Sequence, residues 1–109
     1  MNEFCGPLRL GYDAAVVSSS GLAVTEVREL PAPFKCALFT VPQGATTELD
    51  QHDVAEMWFI HHGSGTLLSD GEELAVRAGD AIHFPGRVPH QLRNTGGEPL
   101  EVFSVWWQE

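Results

Sequence analysis

Residues 44–63, GATTELDQHDVAEMWFIHHG, decide how this chain is read. They set Asp50, His52 and Glu56 within seven residues. Asp50 and His52 are two apart, so on a strand, where side chains alternate between faces, both look the same way. Asp53, Val54 and Ala55 then form a bend, and Glu56 begins a second strand facing the first. Three metal-competent groups converge without any helix. A fourth, His90, arrives in residues 79–94, GDAIHFPGRVPHQLRN.

Outward from this centre the pattern is that of strands and turns. Residues 56–61, EMWFIH, are nearly continuous in apolar character, which predicts a strand covered on both faces, as in a closed barrel or an oligomer interface. Glu56, Trp58 and Ile60 share one face; Met57, Phe59 and His61 share the other. Short strands are expected over 14–17, 22–30, 34–41, 66–68, 73–76, 81–84, 90–94 and 100–107. The alternation and β-branched content of LAVTEVREL and FKCALFTV carry two of these. The Asp70-Gly71 pair is a hairpin turn signal, and Gly-Pro, Pro-Gly and Ser-Gly steps punctuate the rest. No helical period longer than two turns is present. Many short strands with Gly and Pro turns predict an all-β sandwich or barrel.

At 109 residues the chain is read as one domain, 1–109, large enough for one core, and its 43% hydrophobic content is ordinary for a globular protein. No apolar run approaches the roughly 18 residues that cross a bilayer. The opening MNEFCGPLRL lacks the basic-then-apolar signature of a secretory signal. Cys5 and Cys36 form no CxxC ligand pair, and free thiols in a reducing cytoplasm are expected rather than a disulfide. The net charge of −9 repels phosphate backbones, so nucleic acid is excluded as a partner. With only six Lys and Arg, any arginine inside a pocket would be a meaningful exception.

The two stretches resemble the paired motifs of the cupins, small double-stranded β-helix (jelly-roll) barrels. The first motif is Gly, five residues, His-x-His, three or four residues, Glu, six residues, Gly; here it reads Gly44, Asp50, His52, Glu56, Gly63. The second is Gly, five residues, Pro-x-Gly, two residues, His, three residues, Asn; here it reads Gly79, Pro85, Arg87, His90, Asn94. Every spacing is kept and eight of ten positions match, over a core of residues 44–94 with fifteen residues between the motifs. Asp50 stands where the pattern has its first histidine, and Arg87 where it has glycine.

The resemblance implies one divalent metal ion on His52, Glu56 and His90. Two imidazoles and a carboxylate suit Fe(II) as a facial triad and zinc as a catalytic site, with manganese or nickel as further candidates. Asp50 is either an oxygen ligand or a base on bound water; its shortness favours the base. The metal-free alternative is a buried Glu56–His90 pair. Asp50 and Glu56 are thus the candidate catalytic carboxylates. Arg87 is either an anchor for a substrate carboxylate or a surface arginine on a loop, with Trp58, Phe84 and Leu92 as pocket walls or ordinary core. Cys36 reads as a core residue. His61, His62 and His83 read as exposed or interfacial, and Trp106 and Trp107 point to opposite faces. The leading expectation is a metalloenzyme acting on a small polar metabolite by isomerisation, cyclisation, elimination or rearrangement. Three alternatives stand beside it: an Fe(II) dioxygenase, a zinc cupin forming an N–N bond (HDVAEMWFIHHGSG and SVWW are similar to those of hydrazine-forming systems), and a non-catalytic small-ligand binder. A homodimer through Met57 and Phe59, with no membrane partner, completes the expectation.

Overall fold

The computed structural model describes residues 6–109, so Cys5 lies outside the described residues. The described residues form nine strands: β1 (Val16–Val17), β2 (Ala23–Glu26), β3 (Lys35–Val41), β4 (Ala55–His62), β5 (Ser64–Ser69), β6 (Glu72–Arg77), β7 (Ala81–Phe84), β8 (Gln91–Arg93) and β9 (Leu100–Trp107). They pair antiparallel into a six-stranded sheet, β1-β2-β3-β9-β4-β7, and a three-stranded sheet, β6-β5-β8. The all-β expectation holds, and the order shows why the site forms. β9, last in sequence, pairs with β3 on one side and β4 on the other. The closing strand is therefore the spine of the large sheet.

Alternation places one face of each central strand inside. On β9 the inward positions are Leu100, Val102, Ser104 and Trp106; on β3 they are Ala37, Phe39 and Val41; on β4 they are Glu56, Trp58 and Ile60. Across the gap the small sheet contributes Leu67, Val76 and Leu92, and these side chains with Phe84 fill one core. The chain changes sheets between β4 and β5, where the pairing of β4 with β9 bulges between Ile60 and His62 and Gly63 takes a φ of 91°. β5 then runs so close to β8 that a Cβ on Gly65 would lie 2.5 Å from the Arg93 carbonyl oxygen.

Several boundaries differ from the sequence reading. β2 ends at Glu26 because Glu29 turns left-handed, with φ 53°. The stretch bearing Asp50 is not a continuous strand. It runs beside β8 through isolated bridges, Thr46 to Arg93 and Asp50 to His90, with Thr47 N–H donating to the Leu92 carbonyl at 2.9 Å. β4 is covered on its inner face, but Phe59 on the outer face is 42% exposed, so a single chain does not bury both.

The second motif ends on a buried clasp. Asn94, 2% exposed, donates from Nδ2 to the Val41 carbonyl at 2.9 Å and the Glu98 carbonyl at 2.7 Å, and its Oδ1 accepts from Gly96 N–H at 3.0 Å. Asn94→Ala strands those groups in the dry interior, and we expect it to destabilise the fold by about 2–3 kcal/mol. A lower urea midpoint at unchanged m-value would register this; an unmoved midpoint would show that the clasp contributes little.

Candidate metal and ligand site

The centre of the site is a carboxylate whose two oxygens are treated differently. Glu56 faces inward between Trp106 on β9 and Phe84 on β7, its register partners on either side. Its Oε2 accepts from Ser104 Oγ at 2.6 Å and from Trp58 Nε1 at 2.9 Å. Its Oε1 lies 3.3 Å from His90 Nε2. Both of these atoms are fully buried, and neither has a hydrogen-bond partner. The other imidazole nitrogen of His90, Nδ1, lies 2.9 Å from the Val88 carbonyl, which can only accept, so Nδ1 carries a proton. In the neutral ring Nε2 is then a bare lone pair, aimed at a carboxylate oxygen that is also an acceptor. Two acceptors cannot face each other stably in a dry interior. A proton or a metal cation resolves the conflict, and the tautomer set by Val88 is the one a metal needs.

The remaining residues are placed less tightly. His52 Nε2 is 3.7 Å from Asp50 Oδ1, and both side chains are about half exposed, at 52% and 44%. The rings of His52 and His90 have centroids 6.2 Å apart, beyond the about 5 Å expected of two imidazoles on one ion. Among the described residues no group of three or more His, Cys, Asp or Glu side chains is gathered at metal-binding spacing. The structure thus brings Glu56 and His90 together and leaves His52 turned toward Asp50. The donor chemistry of the orphaned pair fits a divalent cation.

Asp50, His52 and Glu56 border a cavity of about 460 Å³, and His90 is not part of its lining. Phe39, Trp58 and Trp106 supply aromatic wall, Leu22, Val24, Ala37 and Val54 supply aliphatic wall, and Asp50, His52, Asp53 and Glu56 supply the charge. Of the four expected substrate contacts, Trp58 alone lines this cavity. Phe84 stands behind it, stacked on the His90 ring with centroids 4.2 Å apart, and Leu92 is fully buried core. Arg87 does not reach in. Its backbone is left-handed, with φ 68°, which explains why glycine suits this motif position. Its side chain is 79% exposed and its Nε donates to Asp53 Oδ1 at 3.0 Å.

Ser104 and Trp106 are the contributors that the sequence reading missed. The available signal was one small polar residue at an inward position of LEVFSVWW. Trp107 takes the opposite face, stacked on His83. His61 and His62 are exposed and pair with Glu101 and Glu98. Cys36 is a buried free thiol whose pKa is pushed up by burial and by nearby Glu26.

An all-β protein of two facing sheets around a ligand-sized cavity is the class that this geometry defines. A family model described as "Cupin domain" matches residues 37–106, and the chain belongs to that family. It is 36% identical over 63 residues to an uncharacterized protein of Methanocaldococcus jannaschii, covering 57% of this chain and 50% of that one. An oxalate-binding protein of Thermotoga maritima is 29% identical over 70 residues, covering 63% of this chain and 58% of the relative. The chain thus spans little more than half the length of these two relatives. A cupin 2 conserved barrel domain protein of Salinispora arenicola superposes with a TM-score of 0.75 at 26% identity, covering 99% of this chain and 91% of that structure.

The Glu56–His90 contact has a pH signature. Burial opposes the charged imidazolium, but the Glu56 carboxylate, the Val88 carbonyl and Asp50 outweigh it, so the His90 pKa lies above the ordinary histidine value. Burial likewise opposes the Glu56 carboxylate, but His90, Ser104 and Trp58 outweigh it, so its pKa lies below the ordinary value. The histidine contribution to stability is full below about pH 6.5 and is lost as pH rises through the raised value. The glutamate contribution is full above about pH 4.3 and is lost as pH falls through the lowered value. With metal removed by chelator, we expect the melting temperature to fall as pH rises from about 6.5 to 9. The His90→Gln variant should lose that slope; an identical slope in both would place its origin elsewhere.

Proposed function

We propose that this protein is a metal-dependent cupin enzyme acting on a small metabolite, with a divalent ion on His52, Glu56 and His90. The observation that supports this most directly is the pair of buried, partnerless acceptors, Glu56 Oε1 and His90 Nε2, 3.3 Å apart. Zinc and Fe(II) both suit two imidazoles and a carboxylate. A cation held there supplies Lewis acidity to a polar group of the ligand. Ser104 and Trp58 hold the Glu56 carboxylate in one orientation, as outer partners do for a metal ligand. Asp50 is the proton-moving group. Burial raises its pKa above the ordinary aspartate value despite nearby His52 and His90, and that makes it a better base. A cavity of about 460 Å³ is of the size that small-molecule sites have. Isomerisation, cyclisation, elimination and rearrangement all fit a base beside a polarised group.

A second reading, a non-catalytic small-ligand binder, draws support from the closed Glu56–His90 contact and from the oxalate-binding relative. Metal titration separates the two. Zinc or Fe(II) should bind at one ion per chain by calorimetry near pH 7.5. His90→Ala and Glu56→Ala should weaken binding by more than about 100-fold, and Ser104→Ala by about tenfold. A wild-type protein that takes up neither ion would sink the metalloenzyme reading and leave the binder.

The outer face of the large sheet, where Met57 and Phe59 stand beside Leu38 and Phe103, is offered to a second copy of the chain. Sedimentation should give a dimer mass, and Phe59→Glu should give a monomer with the same circular dichroism; a wild-type monomer would refute it.

A further inference from the structure

The distribution of positive charge around the cavity is more informative than its shape. All six Lys and Arg residues lie among the described residues, and all six are exposed. None lines the cavity, whereas three carboxylates, Asp50, Asp53 and Glu56, do. Arg87 comes nearest and is engaged by Asp53 at the rim. Arg28 is paired with Asp13, and Arg93 Nε donates to Thr46. The basic neighbours of Asp50 are histidines, His52 at 3.7 Å and His90 across the backbone bridge, and not a lysine or arginine. In the metal-free protein a ligand carboxylate would therefore meet no guanidinium or ammonium here and would lie among Asp50, Asp53 and Glu56. Glu56, which lines the cavity, turns its unpartnered Oε1 to the buried Nε2 of His90, 3.3 Å away. The acidic part of the lining thus favours donors and cations.

We propose that the cavity selects amine-bearing ligands: a protonated nitrogen at Asp50, carried by an apolar body against Phe39, Trp58 and Trp106. Two physical effects act together. A half-buried carboxylate attracts an ammonium more strongly than a solvated one does, because the effective dielectric constant is lower. Aromatic faces attract cations and repel anions. Like-charge contact with Asp50 supplies discrimination against carboxylates, including small diacids such as the oxalate in the thermotogal relative's name. The inference rests on the reading of this cavity as the ligand site and specifies its substrate class.

Benzylamine, benzyl alcohol and phenylacetate present one apolar body with three heads. They are titrated into chelator-treated protein by calorimetry and tryptophan fluorescence, so that the result does not depend on bound metal. Benzylamine should bind about tenfold more tightly than benzyl alcohol, the scale of one partly screened charge contact, and phenylacetate more weakly than either. Raising salt should shrink the amine advantage. Asp50→Asn should bring benzylamine to the level of the alcohol; Asp50→Ser, with the same expected outcome, serves as a second variant if the first does not fold. Phenylacetate binding as tightly as benzylamine, an amine advantage that survives Asp50→Asn, or no binding by any of the three would overturn the proposal. Zinc titration of the same preparation reports separately on the metal reading.

Discussion

Glu56 divides its carboxylate between two duties, and the site depends on that division. One oxygen is saturated by Ser104 Oγ and Trp58 Nε1, so the head group cannot turn. The other is thereby left without a donor, facing an imidazole nitrogen that also lacks one. Removing water from such a pair strengthens whatever charge resolves it, whether a proton or a metal ion. The cost of burying the pair is met only when that charge is present. This is why a chemically demanding arrangement can persist next to a well-packed core.

The architecture that makes this possible is the position of β9. Because the last strand pairs with both β3 and β4, its inward residues reach the centre of the large sheet. Ser104 sits opposite Trp58 in register, which sets its hydroxyl over the carboxylate of Glu56. The small sheet delivers His90 from the other side, tied to the Asp50 segment by two backbone hydrogen bonds of about 3 Å. Metal-competent groups thus come from opposing sheets. Their separation is controlled by the side chains that space the sheets apart, among them Phe84 against the His90 ring.

Charge and shape act on different parts of the same cavity. Aromatic and aliphatic walls bound the body of a ligand, while a lining that has carboxylates but no Lys or Arg bears on its head group. Arg87 illustrates how a departure from the family pattern can be absorbed outside the cavity. A left-handed backbone directs its side chain to Asp53 at the rim, where it balances one acidic group without supplying an anion clamp inside.

Much of this was legible from residues alone. The spacing of Asp50, His52, Glu56 and His90, and the alternation of EMWFIH and LEVFSVWW, depend on local geometry: a period of two on strands and the fixed turns at glycine and proline. Those local rules place Glu56 and Trp58 inside and Phe59 outside. They say nothing about which strands become neighbours. The pairing of β9 with β4 spans over forty residues of sequence, and it alone brings Ser104 to Glu56. The same long-range packing left Arg87 outside, sent Phe84 and Leu92 into the core, and turned His52 toward Asp50. Sequence determined which chemical groups were available and which way each strand faced them; tertiary structure decided which met, because contact across a barrel is set by sheet order and register rather than by distance along the chain.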